Sequence, residues 1–132
     1  MALLVPNEGE AKILAVALGK DAAEALSLRL FTNNYTPVET STTSSFTEAT
    51  GNGYAAIAVA ASDWTVAPGA PSTATAAVKT FTFTGALGAV YGYFVVGATS
   101  GKTYWAERFT ATPITIQNNG DQIVVTLSIG LD

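Results

Sequence analysis

Glu107 is the acidic residue whose neighbours point most directly to chemistry. It alternates with Trp105 and Phe109 along a predicted strand, so its carboxyl would share a strand face with two aromatic rings. An apolar setting raises a carboxyl pKa and favours an acid catalyst. With Asp121 or Glu48 as its partner, Glu107 could form a glycosidase-like pair.

The alternative for Glu107 is a structural role, either paired with Arg29 or placed in a contact at a subunit boundary. Sequence spacing does not determine how far apart two carboxylates lie in a folded β protein. A catalytic pair also needs a shaped, matched geometry that most carboxylates lack. We therefore favour the structural role.

Aromatic side chains form the second candidate constellation: Trp64, Tyr91, Tyr93, Tyr104 and Trp105. Flat rings with polar rims suit sugar faces and protein interfaces alike. Packing in a core or between subunits is the commoner use. We take Tyr93 and Trp105 as candidate interface anchors, the alternative being that both belong to the core.

The residue types that are missing exclude several chemistries. There is no histidine and no cysteine, which removes histidine-dependent triads, thiolate nucleophiles, disulfides and cysteine zinc sites. The run Asn118 to Asp121 is too short and too poor in carboxylates for an EF-hand, and we interpret it as a turn. The glycines at 85, 88 and 92 lack the spacing and the lysine of a phosphate-binding loop. We predict no catalytic residue, no cofactor and no metal.

Charge is sparse and excludes two classes of partner. Only 12 % of residues are charged, and 6 basic against 10 acidic residues give a net charge of −4. The basic residues are scattered singly, so we expect no nucleic-acid binding. The run before Pro6 has no basic residue, so we expect that it is not a signal peptide. The uncharged stretch 80–101 alternates at its start as strands do, and its glycines at 85, 88, 92 and 97 would break a helix, so we expect no membrane span and a soluble protein made in the cytoplasm.

Two kinds of periodicity organise the chain. Helical spacing predicts one short helix, with Asn7 as its N-cap and Gly19 as its stop. The apolar stripe of this helix would face the domain or a neighbour, and consists of Ile13, Leu14, Ala17 and Leu18. From Leu26 onward the period is two, which predicts strands. We divide the chain into an N-terminal arm and short helix, 1–25, and a β-sandwich domain, 26–132.

About eight short strands with frequent turns predict an all-β, jelly-roll-like β-sandwich. The second half supplies the clearest candidates: Ala76 to Thr84, Val90 to Val96, Thr103 to Thr110, Ile114 to Ile116 and Gln122 to Ile129. Asn119-Gly120 predicts a tight hairpin between the last two. The strand Val90 to Val96 is apolar on both faces, so one face would fill the sandwich and the other an interface between subunits.

Several segments resemble small virion proteins of tailed bacteriophages. In the first half they are Val5 to Glu10, Leu28 to Asn34, Phe46 to Ala49, Gly53 to Ala55 and Trp64. In the second half they are Val90 to Val95, Trp105 to Phe109 and Asn119 to Ile123. The resemblance covers nearly the whole chain.

The resemblance implies a capsid decoration (cement) protein built on a β-sandwich. Such a protein would be a homo-oligomer, a trimer, on the capsid surface of the virion, with the major capsid protein as its partner. No catalytic residues come with this family. The alternative from another class is a tail or fibre-associated module that binds carbohydrate for host recognition.

Overall fold

The chain folds as a mostly β protein with one short helix, as a computed structural model describes it for residues 3–131. Strands account for 39 % of residues and helices for 13 %, which confirms the all-β sandwich fold class. The elements are α1 (Asn7–Ala17), β1 (Leu26–Phe31), β2 (Ile57–Val59), β3 (Trp64–Ala67), β4 (Ser72–Ala76), β5 (Lys79–Thr82), β6 (Gly88–Val90), β7 (Gly92–Gly97), β8 (Thr103–Arg108), β9 (Ile114–Ile116), β10 (Gln122–Val125) and β11 (Ser128–Leu131). Two single 3-10 turns lie at Thr43–Ser45 and Ala61–Asp63.

The first layer is a four-stranded antiparallel sheet in the order β2-β1-β7-β8. The N-terminal arm extends it, because Leu4 exchanges two backbone hydrogen bonds of 2.9 Å with Ala106 in β8. The outer edge of β8 is therefore covered at this point by the chain itself, which protects it from pairing with another molecule.

The second layer is built on a long, bent antiparallel pair. The chain of β4 and β5 runs beside that of β10 and β11, and β3 and the pair β6-β9 complete the layer. Between the two halves the pairing register shifts by one residue, since Val125 opposes Lys79 whereas Ser128 opposes Thr75. The predicted single strand Gln122 to Ile129 is thus two strands, because a bulge at 77–78 bends the pair.

The main core lies between the two layers. The first sheet contributes alternate side chains, among them Leu28, Leu30 and Val95, which are fully buried. The second layer contributes its inward-facing residues: Ala76, Phe81, Phe83, Ile123, Val125 and Leu127. This alternation explains the period of two in the sequence.

The other face of the first sheet is also buried, and this corrects the expectation of a subunit interface there. The long connection between β1 and β2 folds back over that face and inserts Phe46. The Phe46 ring stacks on Phe94 at 4.8 Å between centroids, and it lies 5.1 Å from Phe31. The second apolar face of β7 is therefore covered within the same chain.

Helix α1 packs on β8 through its first turn. A Cβ atom on Gly9 would collide with the backbone carbonyl of Tyr104, so only glycine allows this close approach. The predicted N-cap at Asn7 is wrong: Asn7 is the first residue of the helix, Pro6 occupies the cap position, and no side chain caps it. At the other end Gly19 adopts φ +71°, and the Lys20 amide bonds to the Ala15 carbonyl at 2.8 Å, which is a Schellman stop.

The predicted helical stripe divides between the core and the surface. Ile13 packs against the main core, whereas Leu14 is 60 % exposed and Leu18 is 77 % exposed. None of the helices in residues 3–131 is long and apolar enough to cross a membrane.

The predicted hairpin at Asn119-Gly120 is wrong. β9 pairs with β6 and β10 pairs with β5, so the strands on either side of this turn are not partners. Gly120 has φ +94° but Asn119 does not have a positive φ, which rules out a type I′ turn. The Asp121 carboxylate instead holds the turn by accepting hydrogen bonds from the amides of Gln117 and Asn118.

We expect Phe46→Ala to lower the free energy of unfolding by about 3 kcal/mol or more, because it leaves a cavity beside Phe31 and Phe94 on the second face of the first sheet. Urea unfolding followed by tryptophan fluorescence measures the change. Thr40→Ala, in the exposed part of the same connection, is the matched control and should change the midpoint little. Equal midpoints for wild type and Phe46→Ala would contradict the structural role of this connection.

Candidate interaction surface

Glu107 lies on the core side of the first sheet and is held by one strong hydrogen bond. The Tyr93 hydroxyl donates to its Oε2 at 2.7 Å. Burial of Tyr93, together with this bond to a carboxylate, raises the pKa of the phenol. The expected pairing with Arg29 is wrong, because Arg29 lies on the opposite face and binds Glu48 at 3.1 Å.

The proposed catalytic partners of Glu107 have their own structural contacts. Asp121 holds its turn, and the two amides that it accepts from lower its pKa. Glu48 accepts from the Tyr54 hydroxyl at 2.9 Å in addition to its bond with Arg29. Within residues 3–131, no group of three or more acidic side chains could hold a metal ion.

The candidate aromatic platform is mostly internal. Tyr93, Tyr104 and Trp105 are 4, 7 and 3 % exposed. Trp64 packs edge-on against Trp105 at 6.0 Å, and Tyr91 lies under the Arg108 guanidinium at 5.1 Å. The two candidate anchors, Tyr93 and Trp105, thus occupy core positions in the isolated chain.

Glu24 is a largely buried structural carboxylate that the sequence analysis missed. Its side chain is 5 % exposed and accepts hydrogen bonds from the amides of Thr99 and Ser100 and from the Tyr104 hydroxyl. Burial disfavours its charge, but these hydrogen bonds outweigh burial and lower its pKa to about 2. Glu24 therefore ties the segment before β1 to the β7–β8 turn, and the only signal in the sequence was a single acid within the apolar run 22–26.

An apolar groove of about 730 Å³ opens at one end of the sandwich. One wall is formed by the arm and the helix, with Leu3, Val5, Ile13 and Leu14. The floor contains Trp64 and Trp105, and β11 forms the opposite wall. The indole N–H of Trp105 has no hydrogen-bond partner in the described part of the chain.

The groove runs along the edge of β11 as well as along its inner face. Alternate residues of a strand point to opposite faces, yet all four residues of β11 line the groove. β11 is also the outermost strand of its sheet, whose order is β11-β4-β3. The backbone edge of β11 therefore faces the open groove.

Two exposed leucines and one acid mark the mouth of the groove. Leu131 is 78 % exposed and Leu14 is 60 % exposed. Together they leave apolar surface in contact with water at the groove. Glu10, on α1, is the one ionisable carboxylate among the lining residues, and across residues 3–131 its side chain has no hydrogen-bond or ionic partner.

Comparison with known proteins finds no match among family models, curated proteins or solved structures. The groove is the surface that combines apolar side chains, an unpaired strand edge and an unpaired charge.

We expect Tyr93→Phe to destabilise the fold by about 1 to 2 kcal/mol, because it leaves the half-buried Glu107 carboxylate without its donor. Tyr91→Phe removes a hydroxyl two residues earlier that has no such bond within residues 3–131, and it should be nearly neutral. Thermal unfolding followed by circular dichroism compares the two variants. Equal effects would show that the Tyr93–Glu107 bond does not stabilise the fold.

Glu24 should make the fold sensitive to acid. Because the pKa of Glu24 is about 2 in the folded chain and 4.5 for an unperturbed glutamate side chain, its stabilising effect is fully present above pH 4.5. That effect is lost as the pH falls towards 2. Urea midpoints measured across this range should fall less steeply in Glu24→Gln than in wild type. Glu39→Gln, on an exposed residue, is the control, and a Glu24→Gln profile parallel to wild type would contradict the assignment.

Proposed function

We propose that this chain is a non-enzymatic bacteriophage structural protein that binds over the junctions of capsid subunits and stabilises the head. The single observation that carries the proposal is how the chain uses its charges. Most basic side chains are paired within the chain, and the surface is therefore weakly charged and carries an apolar groove. The resemblance to decoration proteins supports the same role.

Five of the six basic side chains have partners within the chain. Lys12, Arg29, Lys79 and Lys102 form salt bridges, each within 4.0 Å of a carboxylate. Arg108 donates to Asn34 and to the Tyr35 carbonyl. Surface ion pairs contribute little stability individually, but their net effect is to leave few free charges that would repel a closely packed neighbour.

The outer face of the sheet β11-β4-β3 is made of small side chains. Register places Thr65, Thr75 and Ser128 in one row across the three strands, and Ala67, Thr73 and Gly130 in the next. Such a face is flat and has little side-chain entropy to lose when another protein packs against it. It suits contact with a shell surface.

Binding across a junction would stabilise the capsid for a thermodynamic reason. A shell under internal pressure fails where its subunits separate. A rigid protein bound across a junction adds its binding free energy to the cost of that separation. A trimer, which we propose as the bound form, would engage several junctions at once and raise the effective concentration of each contact.

The alternative, a carbohydrate-binding module of the tail or fibre, has less support. Three of its five candidate rings, Tyr93, Tyr104 and Trp105, are buried. A sugar-stacking platform requires exposed faces. We therefore retain this alternative only as an outcome of the test below.

Heating of phage particles tests the proposal. Particles that lack the protein should release their DNA at a lower temperature than complete particles, and addition of the purified protein should restore the higher temperature. DNA release is followed by the fluorescence of an intercalating dye. If the two kinds of particle are equally heat-resistant and those without the protein no longer adsorb to host cells, the capsid role is wrong and the tail alternative is favoured.

A further inference from the structure

We propose that the groove binds an extended segment of a different protein, which joins the sheet as a new strand beside β11. The segment is apolar at alternate positions and carries a basic residue. Binding of such a segment depends on the groove and the free edge of β11, and not on the proposed capsid role. Within the proposed function the segment belongs to the capsid protein.

The hydrogen bonds of the neighbouring pair show which backbone groups of β11 are free. The Ala76 amide donates to the carbonyl of Leu127 at 2.9 Å. Residues 127 and 76 stand opposite each other in the register that pairs Ser128 with Thr75. In antiparallel strands, residues that bond to the partner alternate with residues whose N–H and C=O point away.

It follows that Ile129 and Leu131 bond to β4, whereas Ser128 and Gly130 direct their backbone groups outward. In the part of the chain that the structure describes, no other strand pairs with this side of β11. A row of unpaired donors and acceptors is a template for an added strand. The free edge of β11 therefore supplies the backbone half of a binding site.

The groove supplies the side-chain half. A strand added beside β11 would turn every second side chain towards the inner face, where Ile129 and Leu131 already point. That space is lined by apolar groups of the arm, the helix and the two tryptophans. The remaining side chains of the segment would point to the outer face, beside threonine and serine. The specificity is thus for apolar residues at alternate positions.

The charges favour a different protein over a second copy of this chain. Glu10 faces the groove and lacks a cationic partner in residues 3–131. A second copy of this chain would bring few free cationic side chains to Glu10. Five of its six basic side chains are already bonded within the fold, and only Lys20 is left. A partner segment that carries its own lysine or arginine would pair with the exposed Glu10 carboxylate at the mouth of the groove, and this pairing would add specificity more than affinity.

The test uses a short fluorescein-labelled peptide in which valine and threonine alternate and one valine is replaced by lysine. Fluorescence anisotropy measures its affinity for the whole protein. We expect saturable binding, which weakens when glutamate replaces the lysine. Hydrogen exchange should slow at the amides of Ser128 and Gly130 when the peptide is added.

Two proline variants separate this edge from the opposite edge of the same sheet. Gly130→Pro removes an outward N–H of β11, and it should weaken binding by about tenfold or more. Val66→Pro removes an outward N–H of β3 by the same alternation, and it should bind as wild type does. Circular dichroism of both variants checks that the fold is retained.

Three results would overturn the inference: no saturable binding to the wild type, equal losses in the two proline variants, or equal affinity for the glutamate peptide. A wild-type protein that self-associates in sedimentation, together with a monomeric Gly130→Pro, would identify a second copy as the occupant instead. If the peptide does not bind but the protein still protects capsids, this inference fails while the proposed function stands. If the peptide binds but capsids gain no protection, the proposed function fails while this inference stands.

Discussion

The two-sided burial of β7 is the constraint on which the rest of the structure depends. All six residues of β7 are buried, so each face of its sheet must be covered by something apolar. One face is covered by the second layer and the other by the connection that carries Phe46. A strand of this kind cannot lie at the surface of a monomer, and the chain meets the requirement by folding over itself.

This internal covering changes where an interface can form. The second face of β7 is unavailable, and the candidate anchors Tyr93 and Trp105 are part of the core. The apolar groove at the end of the sandwich is open, and single apolar side chains such as Val66 and Val124 are exposed elsewhere. Leu14 and Leu131 line this groove and are exposed there. The groove is therefore the place where we propose that a partner binds.

The sequence predicted the type of element well and the partners of the elements less well. The strands at β1 and β7 and the helix stop at Gly19 follow from local rules, and these predictions hold. Strand pairing is a long-range property, so the same rules placed β9 and β10 together although each has another partner. The apolar pattern of β7 likewise predicted that both faces are covered, but a single Phe46 within a polar run did not reveal which segment covers the second face.

The site was harder to predict than the fold, for a related reason. A groove arises from the gap between elements that are distant in the chain, and Leu3 and Leu131 share no sequence pattern. The partners of Glu24 and Glu107 are likewise set by tertiary contacts. Aromatic residues attracted attention because of their chemistry, whereas the surface that is open consists mainly of aliphatic side chains and a strand edge.

Electron cryomicroscopy of the intact phage particle tests the central claim most directly. Our account predicts density for the sandwich over the junctions between capsid subunits, with an extended chain lying in the groove beside β11. Density for the protein at the tail, with the groove facing solvent, would contradict it.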